Sequence, residues 1–314
     1  MEKLVNNSVY MIMYHYVRPI KNSKYPNLKG LEINDFKKQI KWFKKNFDII
    51  GYDDFIEIIK KKKISKRKKL ILTFDDGYKD HYDYVLPELK KNKISGFFYP
   101  PTKIVENKIV LDVNKIHFIL EKVENRKMII NDINFFLKKY GYKDIFNMKI
   151  DIKLLKSRYD DLETSLIKKL LQFILPKAIR EKILDHLIRK YLDFSIKELS
   201  NELYINSQNL LEMQKEGMHI GSHGEYHVRW GNLPMSYQLK EMNNSIRFFQ
   251  KLNFDINKLS VCYPYGSLNH NTLSIVKKCG FKFGITTDVG IISNKNLKNK
   301  FQFPRLNAND FKNI

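Results

Sequence analysis

Two adjacent carboxylates follow a short apolar stretch, and their position suggests chemistry. Residues 69–74 read KLILTF, which predicts a buried strand, and Asp75, Asp76 and Gly77 come directly after it. Neighbouring side chains at the end of a strand point in different directions, so one carboxylate can bind a metal while the other acts as a base. In an α/β barrel the carboxyl ends of the strands form the active-site face. A plain acidic turn is the alternative interpretation, because Asp-Gly is a common turn pair.

Three histidines lie in the segment MHIGSHGEYH, residues 218–227. His223 and His227 are four residues apart, which places two imidazoles on one side of a helical turn or of a tight loop. With one carboxylate they offer two nitrogen ligands and one oxygen ligand, and they leave coordination positions open for water and substrate. His219 lies on the strand that we predict just before them, and we expect it to have a structural role.

A third segment, Cys262-Tyr263-Pro264-Tyr265-Gly266, follows another predicted strand. We expect this turn to hold a backbone N–H and an aromatic wall against the substrate. Tyr263, Pro264, Tyr265 and Gly266 are therefore candidate substrate-binding residues. The alternative interpretation is that proline and glycine only shape the turn.

The elements around these segments alternate between apolar, β-branched runs and helical patterns. We predict strands near residues 9–14, 47–50, 69–74, 96–99, 218–221, 259–263 and 281–286, with helices between most of them. This alternation favours a parallel sheet or an α/β barrel. Residues 112–204 are rich in Leu, Lys and Ile at helical spacing. We interpret them as a mainly helical insertion, with one strand near residues 128–130, within a single domain of residues 1–314.

TFDDG, then H-x-x-x-H, then YPYG, each after a predicted strand and in that order, resemble the motifs of the polysaccharide deacetylase family. This is carbohydrate esterase family 4, whose members share the NodB-like homology domain. The resemblance covers residues 8–103 and 205–307, and the helical middle matches no general motif of the family. It implies a distorted (β/α) barrel with fewer than eight strands. It also implies a hydrolase that removes N- or O-acetyl groups, or in some members formyl groups, from carbohydrates.

The resemblance further implies a role for each residue of the motifs. Asp75 is similar to the general base of the family. Asp76, His223 and His227 are similar to the ligands of a divalent metal, which is usually zinc, and these donors also suit cobalt or nickel. Tyr265 is similar to the residue whose backbone N–H stabilises the oxyanion.

Two usual parts of the family pattern are absent from this sequence. Cys262 stands where the third motif normally has arginine, and no histidine follows His270 to supply the usual catalytic acid. The segments MYHYV and FPRLN resemble the exopolysaccharide deacetylase subgroup, in which catalytic parts come from other places on the chain. We expect Arg305 to replace the missing arginine by pairing with Asp75, although a surface arginine beside a proline turn is the alternative.

We expect His15 to be the general acid, because it directly follows an apolar strand and so lies on the same barrel face as Asp75. Its alternative role is that of a rim histidine satisfied by loop backbone. The similar exopolysaccharide deacetylases also carry a histidine after their first strand.

The charge of the chain is strongly positive, with 57 Lys and Arg against 34 Asp and Glu and a formal net charge of +23. Such a charge favours anionic partners, although a lysine-rich compositional bias would produce it by itself. Nothing in the sequence resembles a nucleic-acid-binding motif, so we do not expect nucleic acid as a partner. The expected partner is a carbohydrate, with an anionic or lipid-linked sugar as one form of it.

Several absences shape the remaining expectations. No apolar run reaches the length of about 18 residues that a transmembrane helix needs, and the N-terminus lacks a secretory pattern. Two cysteines do not make a disulfide framework. We therefore expect a cytoplasmic protein, with association at the inner membrane surface as a variant.

Four hypotheses for the function follow from the sequence. The leading one is a metal-dependent deacylase of a glycan or sugar intermediate. A rival enzyme is a deformylase or deacetylase of a lipid-linked or nucleotide-linked sugar. The third is a non-catalytic carbohydrate-binding relic of the fold, and the fourth is a basic protein that binds anions or a membrane surface.

Overall fold

The chain forms two compact units in a computed structural model that describes residues 4–106, 109–145 and 148–312. One unit comprises Met1–Pro19, Gly30–Ile109 and Ser200–Ile314. The other comprises Ile20–Lys29 and Val110–Leu199. Each unit is described separately below.

One nine-stranded sheet dominates the first unit. Its strands are β1 (Ser8–Tyr14), β2 (Asp48–Ile49), β3 (Lys69–Asp75), β4 (Phe97–Tyr99), β5 (His219–Ile220), β6 (Val261–Cys262), β7 (Gly284–Val289), β8 (Ile292–Ser293) and β9 (Phe303–Asn307). Seven of them follow the order β5-β4-β3-β1-β9-β7-β6 with every neighbouring pair parallel. β2 pairs with β3, and β8 runs antiparallel to β1.

A parallel bridge between Ser222 and Val261 connects the two outer edges of this sheet. The backbone N–H of Ser222 donates to Ser260, and that of Cys262 donates back to Ser222. The parallel sheet therefore curls around on itself, which confirms the expected distorted (β/α) barrel.

The helices follow in chain order. They are α1 (Ile33–Asn46), α2 (Tyr52–Lys61), α3 (Leu86–Asn92), α4 (Thr102–Glu106), α5 (Asp112–Lys122), α6 (Arg126–Lys139), α7 (Ile152–Leu155), α8 (Leu162–Lys169), α9 (Lys177–Tyr191), α10 (Ile196–Leu203), α11 (Ser207–Lys215), α12 (Met235–Lys251) and α13 (His270–Lys278). A π-helical turn, His81–Val85, precedes α3, and another, Leu170–Ile174, follows α8.

The two-residue period of the strands separates two apolar clusters. The first lies inside the barrel and contains Val9, Met11, Ile71, Phe97, Ile285 and Phe303. The second lies between the sheet and the helices that flank it and contains Tyr10, Ile12, Leu70, Leu72, Phe74 and Phe98. Because side chains alternate along a strand, Asp75 shares the inward face of β3 with Ile71, and Arg305 shares that of β9 with Phe303. The alternation thus directs both charged side chains into the barrel.

Every regular element in the described part of the second unit is helical. Its helices bury an apolar face that includes Ile116, Ile133, Ile167, Ile183 and Leu187. The strand that we predicted near residues 128–130 is wrong, because these residues lie within α6. Ile129, Ile133 and Leu137 recur there at helical spacing, and that longer period overrides the local β preference of one short Met-Ile-Ile run.

In the part of the chain that the structure describes, no helix is both long enough and apolar enough to cross a bilayer.

Candidate metal centre and active site

Asp76, His223 and His227 come together at the carboxyl ends of the strands. Asp76 Oδ1 lies 3.5 Å from His223 Nε2 and 3.3 Å from His227 Nε2. Ligands that each lie about 2.0–2.1 Å from a tetrahedral zinc ion are separated from one another by about 3.3–3.4 Å. In addition, Asp76 Oδ1 is buried and has no hydrogen-bond partner among the described residues. The donor set and its spacing therefore fit a divalent metal ion.

The atoms on the far side of two of these ligands are fixed by hydrogen bonds. His223 Nδ1 lies 2.7 Å from the carbonyl oxygen of Cys262, so it carries the proton and leaves Nε2 as the acceptor. Tyr78 donates its hydroxyl to Asp76 Oδ2 at 2.8 Å, which leaves Oδ1 for a metal. Tyr78 was not among the site residues that we expected from the sequence.

Burial controls the protonation of His227. It lowers the pKa of this imidazole to about 4 in spite of the nearby Asp76 charge. The side chain is therefore neutral near pH 7, which is the form that binds metal.

The two adjacent carboxylates diverge because the chain turns sharply after Asp75. Asp75 is the last residue of β3, whereas Asp76 has φ 71° and Gly77 has φ 63°. A left-handed aspartate costs conformational energy, and such residues cluster at functional sites. The turn directs Asp76 to the histidines while Asp75 stays on the inward face of the strand.

Arg305, on β9, forms a two-pronged hydrogen bond with the carboxylate of Asp75. Its Nη1 donates to Asp75 Oδ1 at 2.8 Å and its Nη2 donates to Oδ2 at 2.7 Å. Nη1 also donates to Thr73, and Nε donates to the carbonyl oxygen of Thr286. Arg305 is 1% exposed and Asp75 is 2% exposed, so the pair is shielded from water. The structure thus brings together the two residues that we expected to pair.

The protonation of Asp75 is decided by this arginine. Burial alone would raise the pKa of Asp75, but the charge and the hydrogen bonds of Arg305 outweigh it and lower that pKa to about 2. Asp75 is therefore a carboxylate at every pH at which the protein is expected to work.

A second group of possible ligands, Asp75, His223 and Cys262, overlaps with the first. It is the weaker candidate, because both oxygens of Asp75 already accept hydrogen bonds from Arg305. Burial also raises the pKa of the Cys262 thiol, whereas a metal binds the thiolate. Asp76, His223 and His227 are therefore the better candidate ligand set.

The third segment divides between the core and the site. Tyr265 has φ 57°, and its ring centroid lies 4.6 Å from that of His227, so it forms a wall beside the metal site. Gly266 also has a positive φ of 63°, and a Cβ atom there would lie 2.2 Å from Thr287 Oγ1. Only glycine fits at this position.

Tyr263 and Pro264 lie elsewhere than we expected. Tyr263 is fully buried in the second apolar cluster, between the sheet and the helices, and its hydroxyl donates to the carbonyl oxygen of Phe301. Pro264 is buried as well. Their burial argues against contact with substrate, since Tyr263 falls on the helix-facing side of the sheet, one position after the inward-facing Cys262. We correct that expectation and assign the Tyr263 ring to the core.

His15 directly follows β1 at the same barrel end, and its side chain is exposed. Its backbone carbonyl accepts from His81 Nε2 at 2.8 Å. Burial alone would raise the pKa of Asp76, but the nearby histidines hold it well below its usual range, and the charge of His15 is one of the contributions that lower it. His15 is therefore near the site, and its role as the acid stays a prediction. His219 has the structural role that we expected: its ring stacks on Tyr52, and its Nε2 lies 2.7 Å from Ser260 Oγ.

Comparison with protein families identifies the class. Residues 62–134 and 169–284, more than half of the chain, match the polysaccharide deacetylase family. The chain belongs to that family.

Two curated relatives match over shorter stretches. YxkH of Bacillus subtilis, which carries the provisional name polysaccharide deacetylase, is 29% identical over 97 residues, covering 31% of this chain and 34% of its own. Poly-beta-1,6-N-acetyl-D-glucosamine N-deacetylase of Staphylococcus aureus is 29% identical over 72 residues, covering 23% of this chain and 24% of its own. The matched regions thus span about a third or less of these relatives, and they support the exopolysaccharide deacetylase subgroup.

One solved structure shares the fold over nearly its whole length. The deacetylase PplD of Streptococcus pyogenes aligns with a TM-score of 0.59 and 16% identity, covering 96% of this chain and 93% of that one. The likeness supports the barrel architecture.

We predict that the chain binds one divalent ion and that Asp76→Ala weakens this binding by at least about 10²-fold, because it removes the oxygen ligand. Asp75→Asn should leave binding nearly unchanged, since Asp75 faces Arg305 rather than the histidines. Metal content after reconstitution and dialysis, measured by mass spectrometry, tests both variants. Equal loss of metal in the two variants would reassign Asp75 to the ligand set.

We predict that Arg305→Gln lowers the free energy of unfolding by about 3–5 kcal/mol, because it leaves the buried Asp75 without its cation. A matched control is Arg67→Gln, which removes an arginine whose side chain is 81% exposed and which pairs with Asp48 at the surface. That change should cost about 1 kcal/mol or less. Denaturant unfolding measures both, and similar costs for the two variants would refute the role of Arg305.

Proposed function

We propose that this protein is a metal-dependent carbohydrate deacetylase that hydrolyses the N-acetyl group of an amino sugar to acetate and a free amine. O-acetyl and N-formyl groups are the other acyl groups to test. The family membership supports the reaction class, and the named activity of the Staphylococcus aureus relative supports an N-acetylglucosamine glycan as the first substrate to test.

One observation carries the proposal: the two adjacent carboxylates have separate partners. Asp76 Oδ1 faces the two histidines, whereas Asp75 is held by Arg305. A protein that only binds sugar has no need of a second buried carboxylate beside a metal site. This arrangement suits Asp76 to bind a metal and Asp75 to act as the base.

The chemistry that follows is hydrolysis of an amide. A divalent ion, when bound by Asp76, His223 and His227, would acidify a water molecule and polarise the acyl carbonyl. Asp75 would accept the proton of the attacking water. Because the pKa of Asp75 is about 2, it is a weak base and would need the acidity that a bound ion gives to that water. Arg305 keeps Asp75 ionised and fixed in one orientation. Water adds to the acyl carbon, and the C–N bond then breaks.

Two further groups complete the proposed reaction. The backbone N–H of Tyr265 stabilises the negative oxygen that develops on the acyl carbon. His15 gives a proton to the leaving nitrogen, which departs as an amine. Near neutral pH the product amine becomes a cation, so the reaction changes the charge of the glycan.

We predict that Asp75→Asn reduces turnover by about 10²-fold or more while metal content is retained, because the base is lost but the ligands remain. The measurement is acetate release from N-acetylglucosamine oligomers by the metal-reconstituted protein. The non-catalytic relic would be favoured if metal-loaded wild-type protein binds the oligomers but releases neither acetate nor formate from any N-acetylated, O-acetylated or N-formylated substrate.

We predict that His15→Ala lowers turnover, keeps metal content stoichiometric and removes the high-pH limb of the rate profile, since imidazole is the donor suited to near-neutral pH. The pH dependence of acetate release is compared with that of His186→Ala, a histidine of α9 in the other unit. Full activity in His15→Ala, or an unchanged high-pH limb, would show that another group is the acid.

A lipid-linked or nucleotide-linked sugar is the second candidate substrate. The net charge of +23 supports it, as does Arg229, whose half-buried guanidinium lies 5.4 Å from the centre of the Tyr265 ring beside the site. Phosphate groups of such a substrate would be attracted by this charge. Parallel assays with neutral oligomers and with a nucleotide-linked N-acetylglucosamine distinguish the two candidates by their ratio of kcat/KM.

We propose zinc as the native metal, because two imidazoles and one carboxylate suit it best. Cobalt and nickel accept the same donors, so activity after reconstitution with each ion tests the choice. We propose a cytoplasmic location, with the basic charge supporting association with an anionic membrane surface. Cell fractionation at low and high salt tests this location.

A further inference from the structure

The loop that carries the metal histidines is held from behind by a buried glutamate. Glu241, on α12, accepts the backbone N–H of Glu225 at 3.0 Å and that of Tyr226 at 3.1 Å, both on Oε2. These two residues lie between His223 and His227 in the chain. One carboxylate oxygen of Glu241 therefore accepts both backbone N–H groups at the centre of the H-x-x-x-H segment.

Two neighbours of Glu241 on the same helix face reach the same loop. Asn244 donates to the Glu225 side chain at 2.7 Å, and Ser245 Oγ lies 2.6 Å from Ser222 Oγ. Positions 241, 244 and 245 have the i, i+3, i+4 spacing that puts side chains on one helical face. The helix thus presents three polar side chains in a row to residues 222–226.

The loop needs such support because its backbone is irregular. Gly224 has φ 77° and His227 has φ 55°, so the segment cannot satisfy its own N–H groups as a helix would. A Cβ atom on Gly224 would lie 2.6 Å from the Trp230 ring and 3.2 Å from Glu241 Oε2. The glutamate therefore packs closely against the loop as well as bonding to it.

Glu241 is also a buried acid that the proposed mechanism does not use. It is 8% exposed, and burial raises its pKa. Burying a carboxyl group is costly unless hydrogen bonds offset the loss of water. The two loop N–H groups provide that compensation, and a buried apolar residue at this helix position would leave both of them unpaired.

We infer that Glu241 is a positioning residue that sets the separation of His223 and His227 and thereby the affinity of the metal site. This inference rests on the proposed metal centre. Glu241 touches neither the metal ligands' nitrogen atoms nor the reacting groups. It acts through the loop backbone, and its contribution is that of an acceptor rather than of a charge.

The test is a zinc titration of the purified protein in competition with a chromophoric chelator. Glu241→Ala should weaken zinc binding by about 10–100-fold, the usual range for residues that orient metal ligands. Glu241→Gln keeps an acceptor oxygen and should stay within a few-fold of wild type. Lys240→Ala, on the exposed face of the same helix, controls for a change in helix propensity.

A second measurement separates positioning from general stability. The midpoint of thermal unfolding is measured with and without zinc, and Glu241→Ala should show a smaller rise on zinc addition than wild type does. A residue that only stabilises the fold would lower both midpoints and leave the rise unchanged, which would overturn the inference. Should Glu241→Ala fail to fold, Glu241→Met fills the space without an acceptor and is measured in the same way.

The outcomes also separate this inference from the proposed function. Wild-type protein that binds zinc but releases neither acetate nor formate from any substrate would contradict the function and leave the inference intact, provided that Glu241→Ala still weakens zinc binding. Equal zinc affinity in wild type and Glu241→Ala would overturn the inference and leave the deacetylase proposal standing.

Discussion

Two carboxylates buried side by side are the constraint on which the rest of this site depends. Asp75 and Asp76 are 2% and 3% exposed, so each needs a positive partner to stay ionised away from water. Arg305 supplies that partner for Asp75 through two short hydrogen bonds. Among the described residues, Asp76 has the Tyr78 hydroxyl on one oxygen and two imidazoles near the other. A divalent cation is the natural counter-charge for that second position.

The barrel places Arg305 against Asp75 through the alternation of side chains along its strands. Side chains alternate between the two faces, so Thr73 and Asp75 point inward together, and Arg305 does so from β9. β1 separates β3 from β9 in the sheet, yet the curvature brings the two inward faces together. The left-handed turn at Asp76 then sends the next carboxylate to a different set of partners. One strand end thus serves two functions.

The sequence was informative where a residue's role depends on local pattern. Apolar runs predicted the strands that end at Asp75 and at Tyr14, and the ordered motifs predicted the barrel and the residues that the site brings together. It failed at residues 128–130, where a local β preference gave way to the helical period of α6. It also misplaced Tyr263, whose position next to Cys262 puts it on the outer face. Tyr78 and Glu241 were missed because nothing in their own neighbourhoods marks them, and only the fold brings Glu241 to the histidine loop.

The space around Cys262 explains why the arginine that pairs with Asp75 lies on β9, at position 305, and not at position 262 in the third motif. Arg305 Nη2 lies 3.3 Å from Cys262 Sγ, and the same sulfur lies 3.5 Å from Asp75 Oδ2. Cys262 is fully buried, so a long side chain there would occupy the volume that the guanidinium now fills. Two buried arginines facing one carboxylate would also leave one cation without a partner. A small residue at position 262 and an arginine at position 305 therefore belong together, and this pairing lets β9 orient the carboxylate of β3 although the third motif lacks its usual arginine.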